Sequence, residues 1–108
     1  MSAHALLFVY VTVPTREDGV KIARAVVHEK LAACANLSGP VTSVYRWQGA
    51  VQEDEEWALI LKTASDRLDA LTARIKALHS YDCPCVVSWT LGGGNPDFLN
   101  WIGEQTRV

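Results

Sequence analysis

The sequence predicts an α+β domain of the ferredoxin-like split βαβ type: an antiparallel sheet with two helices on one face, a long central hairpin and a C-terminal helix. Three observations carry that prediction. Extended and helical hydrophobic patterns follow one another in the order strand, helix, strand, strand, helix, strand, helix. The stretch Val41 to Thr63 reads as two long strands meeting at a tight turn. Finally, 108 residues that are 49% hydrophobic and 20% charged make a single domain over 1–108 with one core.

The first element is the apolar, β-branched run Leu6 to Val13, which suits a central strand buried on both faces and is ended by Pro14. Thr15-Arg16-Glu17-Asp18 resembles a capping box, with Thr15 accepting near Asp18 and the acidic pair at the positive end of the helix dipole. A helix follows, with Val20, Ala23, Val27, Leu31 and Cys34 at helical spacing, and is expected to end near Ala33. Ala35-Asn36-Leu37 begins the next extended segment, and Ser38-Gly39-Pro40 marks a bend or bulge in it.

The hairpin turns at Gln48-Gly49-Ala50. Val41, Ser43, Tyr45 and Trp47 share one face of its first strand; Trp57, Leu59, Leu61 and Thr63 share one face of its second. Val51 to Thr63 reaches about 43 Å at about 3.3 Å per residue, whereas a compact domain of this length is about 34 Å wide. An overhanging strand leaves backbone and apolar groups to be covered. Another copy of the chain is one cover; the alternative is that Gln52-Glu53-Asp54-Glu55-Glu56 forms a solvated, twisted tip.

A second helix, capped by Thr63 or Ser65, carries the stripe Leu68, Leu71, Ile75 and Leu78 and stops around His79-Ser80. Cys83 to Leu91 is the last strand, placed by Pro84 at a sheet edge or a strand start. After Gly92-Gly93-Gly94, Asn95-Pro96-Asp97 signals the start of a short helix, Pro96 to Gln105, with Phe98, Trp101 and Ile102 on one side.

Ten Lys and Arg against twelve Asp and Glu, a formal charge of -2, give no basic block for phosphates, so nucleic-acid binding has no compositional support. The apolar run Ala5 to Val11 is far short of the roughly 20 residues that span a bilayer, and neither a membrane partner nor a signal peptide is expected. The three cysteines are then reduced thiols, and a cytoplasmic location is expected.

The chemistry-bearing residues are the thiols Cys34, Cys83 and Cys85 together with His79. Split βαβ topology can bring the ends carrying them together. Two residues apart on a strand, Cys83 and Cys85 point to one face, and thiolates with imidazole suit copper(I) or zinc. The competing reading is that they are small buried hydrophobes. In His79-Ser80-Tyr81-Asp82, Asp82 can orient His79 as a ligand or proton carrier, or His79 can simply complement the helix dipole. Trp57, Trp89 and Trp101 read as core or subunit contacts, while Trp47, beside the turn, is hard to bury without a neighbour. Lys62 and Glu56 share a strand face with Ala58 and Ile60, which marks either a cavity between subunits or a solvated face.

Five ordered motifs carry a resemblance: Leu31-Ala32-Ala33-Cys34-Ala35-Asn36, Tyr45-Arg46-Trp47-Gln48-Gly49, Glu56 through Lys62-Thr63, His79-Ser80-Tyr81-Asp82-Cys83-Pro84, and Gly94-Asn95-Pro96-Asp97-Phe98-Leu99-Asn100-Trp101-Ile102. Together, from about Phe8 to Glu104, they resemble the CutA family of divalent-cation tolerance proteins. The resemblance implies a ferredoxin-like subunit in a tight trimer similar to PII signalling proteins, a link to copper and other divalent metals, and shared polar residues in clefts between subunits. By position these are Cys34, Tyr45, Trp47, Glu56, Lys62, His79, Tyr81, Asp82 and Pro84. Where the family usually reads His-Pro-Tyr-Glu-x-Pro-Glu, this chain has Ser80, Asp82 and Cys85 at the second, fourth and last positions. A carboxylate is lost and a thiol gained, which tilts a metal site toward soft ions.

The expectation is therefore a non-enzymatic, cytoplasmic homotrimer that responds to metal ions and binds copper, its sole expected cofactor, through Cys34, His79, Cys83 and Cys85 near inter-subunit clefts. One alternative is a PII-like module that holds a small anionic metabolite with Lys62 and Arg46. Another is an enzyme with Cys34 as nucleophile and His79 as base, for which no oxyanion loop can be read.

Overall fold

A computed structural model describes residues 4–108. Its elements are β1 (Leu6–Val13), α1 (Arg16–His28), β2 (Cys34–Trp47), β3 (Ala50–Ala64), a 3-10 turn (Ser65–Arg67) running into α2 (Leu68–Leu78), β4 (Val86–Thr90) and α3 (Pro96–Gln105). The strands form one antiparallel sheet ordered β2-β3-β1-β4, which is the split βαβ arrangement expected.

Alternation along β1 decides where the core sits. Leu7, Val9, Val11 and Val13 are buried with Leu59 and Leu61 of β3, beneath Ile22 and Val26 of α1 and Leu71 and Ile75 of α2. Burying each such side chain contributes about 1.5–3 kcal/mol, so this face holds the fold. β1 is central, yet buried on one face only: Leu6, Phe8, Tyr10 and Thr12 are half-buried. The second face is covered in part by α3, which contacts β1 and β3 and whose Ile102 is fully buried. Among the described residues no helix is long and apolar enough to cross a membrane.

Both helix starts with side-chain caps follow the sequence. Thr15 Oγ1 accepts from the Asp18 N–H at 3.1 Å, and Asn95 Oδ1 accepts from the Asp97 N–H at 3.0 Å. The end of α1 differs. It stops at His28, because the Lys30 N–H bonds the Val27 carbonyl and the Leu31 N–H bonds the Val26 carbonyl. That is a Schellman closure with Lys30 (φ 62) where glycine is usual. The buried stripe of α1 is Gly19, Ile22 and Val26, one step round from the expected one, and Val27 is exposed.

Neither Thr63 nor Ser65 caps α2. The 3-10 turn has no side-chain cap, and Thr63, fully buried, donates its hydroxyl to the Leu31 carbonyl at 2.7 Å. β4 starts at Val86 rather than Cys83, since Pro84 cannot donate to a ladder. Trp89 and Trp101 are not core residues: Trp89 is 50% exposed and stacks on Phe8 at 4.6 Å, and Trp101 tilts against exposed Phe98. Only Ile102 of the expected α3 face is buried.

The hairpin turns over Gln48 (φ 49) and Gly49 (φ 81), two left-handed residues as a type I′ turn requires, and Trp47 pairs with Ala50. β2 carries the expected irregularity between Ser38 and Val41. Gly39 lies there against Trp57, and a Cβ would come within 2.7–3.0 Å of three indole atoms. β1 pairs with β3 only as far as Val13↔Trp57. Beyond that point β2 and β3 continue as a two-stranded arm, and the molecule measures 47 × 25 × 22 Å.

Candidate functional site

The arm and the segment between α2 and β4 enclose a cleft of about 800 Å³. Period two along β3 turns Asp54 and Glu56 to the side opposite the helix-covered core. Antiparallel pairing sets Tyr45 across from Gln52 and Val41 across from Glu56. Tyr45 and Trp47 from β2, Glu56 from β3, and Tyr81, Asp82, Cys83 and Cys85 from the α2–β4 segment line the cleft.

His79 organises the last of these walls. Its Nδ1 accepts from the Tyr81 N–H at 3.1 Å, so the proton sits on Nε2, which donates to the Thr12 carbonyl at 2.8 Å. The Tyr81 ring lies 4.7 Å from the imidazole, and its hydroxyl donates to Glu56 Oε2 at 2.9 Å. A second pair, the Tyr45 hydroxyl donating to Asp54 Oδ2, lies on the arm. Glu56 is only 7% exposed.

Both phenols are pushed above their ordinary value of 10.0, Tyr81 first by burial and then by its bond to Glu56, Tyr45 first by its bond to Asp54. A raised phenol means that the folded chain keeps a proton the unfolded chain releases. The stability it contributes is thus full below about pH 10 and is lost as pH rises through the folded value. Phenolate absorbance of the native protein is expected to lag that of the urea-unfolded chain. Tyr81→Phe should remove part of the lag; superimposable curves would show that these bonds do not hold in solution.

The expected residues divide into separate places. Tyr45, Trp47, Glu56, Tyr81, Asp82, Cys83 and Cys85 meet at the cleft, and Pro84 sits half-buried between the two thiols in sequence. Cys34 and Lys62 pair elsewhere: Lys62 Nζ is 3.1 Å from Asn36 Oδ1, 3.9 Å from Cys34 Sγ and 5.9 Å from the Phe8 ring centroid. From Glu56 to Lys62 is about 20 Å along the strand at about 3.3 Å per residue. Within one chain, then, Cys34 does not join Cys83 and Cys85, and it does not meet His79 as a nucleophile meets a base. Arg46 and Lys62 do not line the cleft either.

As a metal centre the fourfold set Cys34, His79, Cys83 and Cys85 does not form in one chain. Both ring nitrogens of His79 are committed to backbone partners, and among the described residues no group of three or more His, Cys, Asp or Glu is arranged to hold an ion. Cys83 and Cys85 are free, exposed thiols, and a thiol pair suits a soft ion of low coordination number such as copper(I). Their spacing is set by a loop before β4, not by a shared strand face. Sequence reasoning missed Asp54, although its position two before Glu56 puts it on the same strand face, and Thr12, whose role is a backbone carbonyl with no signal in sequence.

A sequence model of the family described as CutA1 divalent ion tolerance protein matches residues 7–105. The chain is 48% identical over 101 residues to Protein CutA 1, chloroplastic, of Oryza sativa subsp. japonica, covering 94% of this chain and 57% of that protein. It is 45% identical over 98 residues to the divalent-cation tolerance protein CutA of Thermus thermophilus, covering 91% and 95%. The crystal structure of CutA1 from Oryza sativa matches with a TM-score of 0.93 at 46% identity, over 96% of this chain and 95% of that one. The chain spans a little over half the length of the plant relatives.

Proposed function

We propose, from the premise that this chain belongs to the CutA1 family of divalent ion tolerance proteins, that it is a metal-responsive homotrimer that holds copper(I) through Cys83 and Cys85 at the mouth of the cleft. The observation that carries the reading is the pair of exposed, unpaired thiols beside Asp82 on the cleft wall. Two thiolates satisfy a monovalent soft ion, and a neighbouring carboxylate adds favourable charge. Cys34, with Lys62 beside it, stays outside the site.

Assembly is supported by two features. The arm leaves Ala50 to Glu55 exposed, and the second face of β1 and β4 exposes Trp89 and Val87, surface that a further copy would cover. The reading includes a reducing, cytoplasmic setting in which the thiols stay available. A PII-like anion site would need cations at the cleft, and within one chain Lys62 and Arg46 do not line it.

Competition titration of reduced protein against a calibrated copper(I) chelator, with light scattering alongside, tests this. Cys83→Ser/Cys85→Ser is expected to weaken copper(I) binding by about 100-fold or more, as loss of both thiolate ligands implies, whereas Cys34→Ser retains it. Undiminished affinity in the double variant overturns the reading.

A further inference from the structure

The cleft poses an electrostatic problem that the thiols do not solve. Glu56 is more than nine-tenths buried, yet among the described residues its side chain is bonded by the Tyr81 hydroxyl alone and joins no ion pair. A buried carboxylate with a single neutral donor is costly unless a cation compensates it. None of the described residues lining the cleft is Lys, Arg or His, and Asp82 adds a second acid. The described lining supplies negative charge here and no cationic side chain to balance it.

The walls have their own oddity. Tyr45, Trp47 and Tyr81 are 42%, 47% and 37% exposed, large rings that the core does not use, and all three line this one cleft. An aromatic face attracts a cation, most strongly where water is partly excluded. The hydroxyls of both tyrosines donate to carboxylates, which raises the electron density of the rings. Both phenols are also held protonated, so they remain donors that fix Glu56 and Asp54 in place.

We infer that the cleft binds an organic cation, an alkylammonium or guanidinium group seated between Tyr45, Trp47 and Tyr81 with its charge against Glu56. Its volume suits a small ligand. Aromatic walls with one hydrogen-bonded carboxylate favour a diffuse organic charge over a metal ion, which needs several oxygen, nitrogen or sulfur donors. The group can come from a free amine or guanidine, or from a Lys or Arg side chain of a second copy of the chain. Neither source requires Cys83 or Cys85, so this inference stands apart from the copper reading.

The test is calorimetric titration of the reduced protein, with a metal chelator present, using butylammonium, tetramethylammonium and butylguanidinium chlorides. Butanol and sodium butyrate serve as neutral and anionic controls. With a free ligand, at least one cation binds and both controls do not. Glu56→Gln, which can still accept from Tyr81, then weakens binding about tenfold or more, as loss of a charge-assisted contact implies, and Trp47→Leu weakens it while keeping the carboxylate. Cys34→Ser, a change beside Lys62 and outside the cleft, leaves it unchanged. If a second copy supplies the cation, no probe binds and Glu56→Gln instead shifts light scattering toward smaller species. Absence of probe binding together with unaltered assembly in Glu56→Gln overturns the inference, as does probe binding that Glu56→Gln leaves intact.

Discussion

His79→Ala is expected to lower the unfolding free energy by about 3 kcal/mol, the sum of two buried polar groups left without partners and the imidazole volume lost. The Thr12 carbonyl loses its donor and the Tyr81 N–H loses its acceptor. Urea unfolding followed by far-ultraviolet circular dichroism gives the change from the midpoint at constant slope. Loss of the Tyr81 N–H bond also releases the chain that delivers the phenol to Glu56, so the alkaline lag of phenolate absorbance should shrink in the same variant. A ligating histidine would behave differently: its removal would cost copper affinity while leaving the apoprotein close to its original stability. If the apoprotein is unaffected, the structural role assigned to His79 is wrong.

Gly39→Ala is expected to cost about 2 kcal/mol through overpacking. The added methyl would meet three atoms of a rigid indole at 2.7–3.0 Å, and a planar ring cannot fold away as an aliphatic chain end does. Trp57 must shift, or the irregularity between Ser38 and Val41 must open. Gly19 provides the contrast. There a Cβ meets Leu37 Cδ1 at 2.5 Å and Val13 Cγ2 at 3.1 Å, but Leu37 is partly exposed and its end is free to swing, and alanine favours the helix by about 1 kcal/mol. Gly19→Ala should therefore unfold at a higher urea midpoint than Gly39→Ala, and the reverse order would refute the indole argument. Because the bulge aims the arm, Gly39→Ala should also change the fluorescence of Trp47 at the far end.

Elements whose boundaries are set by local chemistry were legible in the sequence. Thr15 and Asn95 are caps because their side chains reach backbone N–H groups two or three residues on, and Gln48-Gly49 is a turn because both positions need positive φ. Where partners lie far along the chain, local pattern failed. Lys30 closes α1 without the glycine that usually announces such an end. The buried stripe Gly19-Ile22-Val26 lies one step from the expected Val20-Ala23-Val27, and a glycine contributes no hydropathy to it. Cys83 and Cys85 looked like strand residues because the apolar run includes them, but the ladder begins after Pro84. His79 was recognised as a polar site residue, and nothing in the sequence shows that its nitrogens are claimed by Thr12 and Tyr81. Family resemblance, by contrast, names Tyr45, Trp47, Glu56 and Tyr81 together, and all four line one cleft of this chain.

The two-residue turn has a consequence for the order in which this molecule is made. From Trp47↔Ala50 outward to Cys34↔Lys62, the ladder grows by closing successively longer loops from a short one, a zipper with little chain entropy to overcome at each step. During synthesis the whole ladder leaves the ribosome before α2, β4 and α3 do. Asp54 and Tyr45 can meet at once, whereas Glu56 must remain solvated until His79 and Tyr81 arrive and Thr12 is in place to receive them. In that order of emergence the last wall of the cleft is the last to become available, and the carboxylate loses its water only once His79 and Tyr81 have joined it.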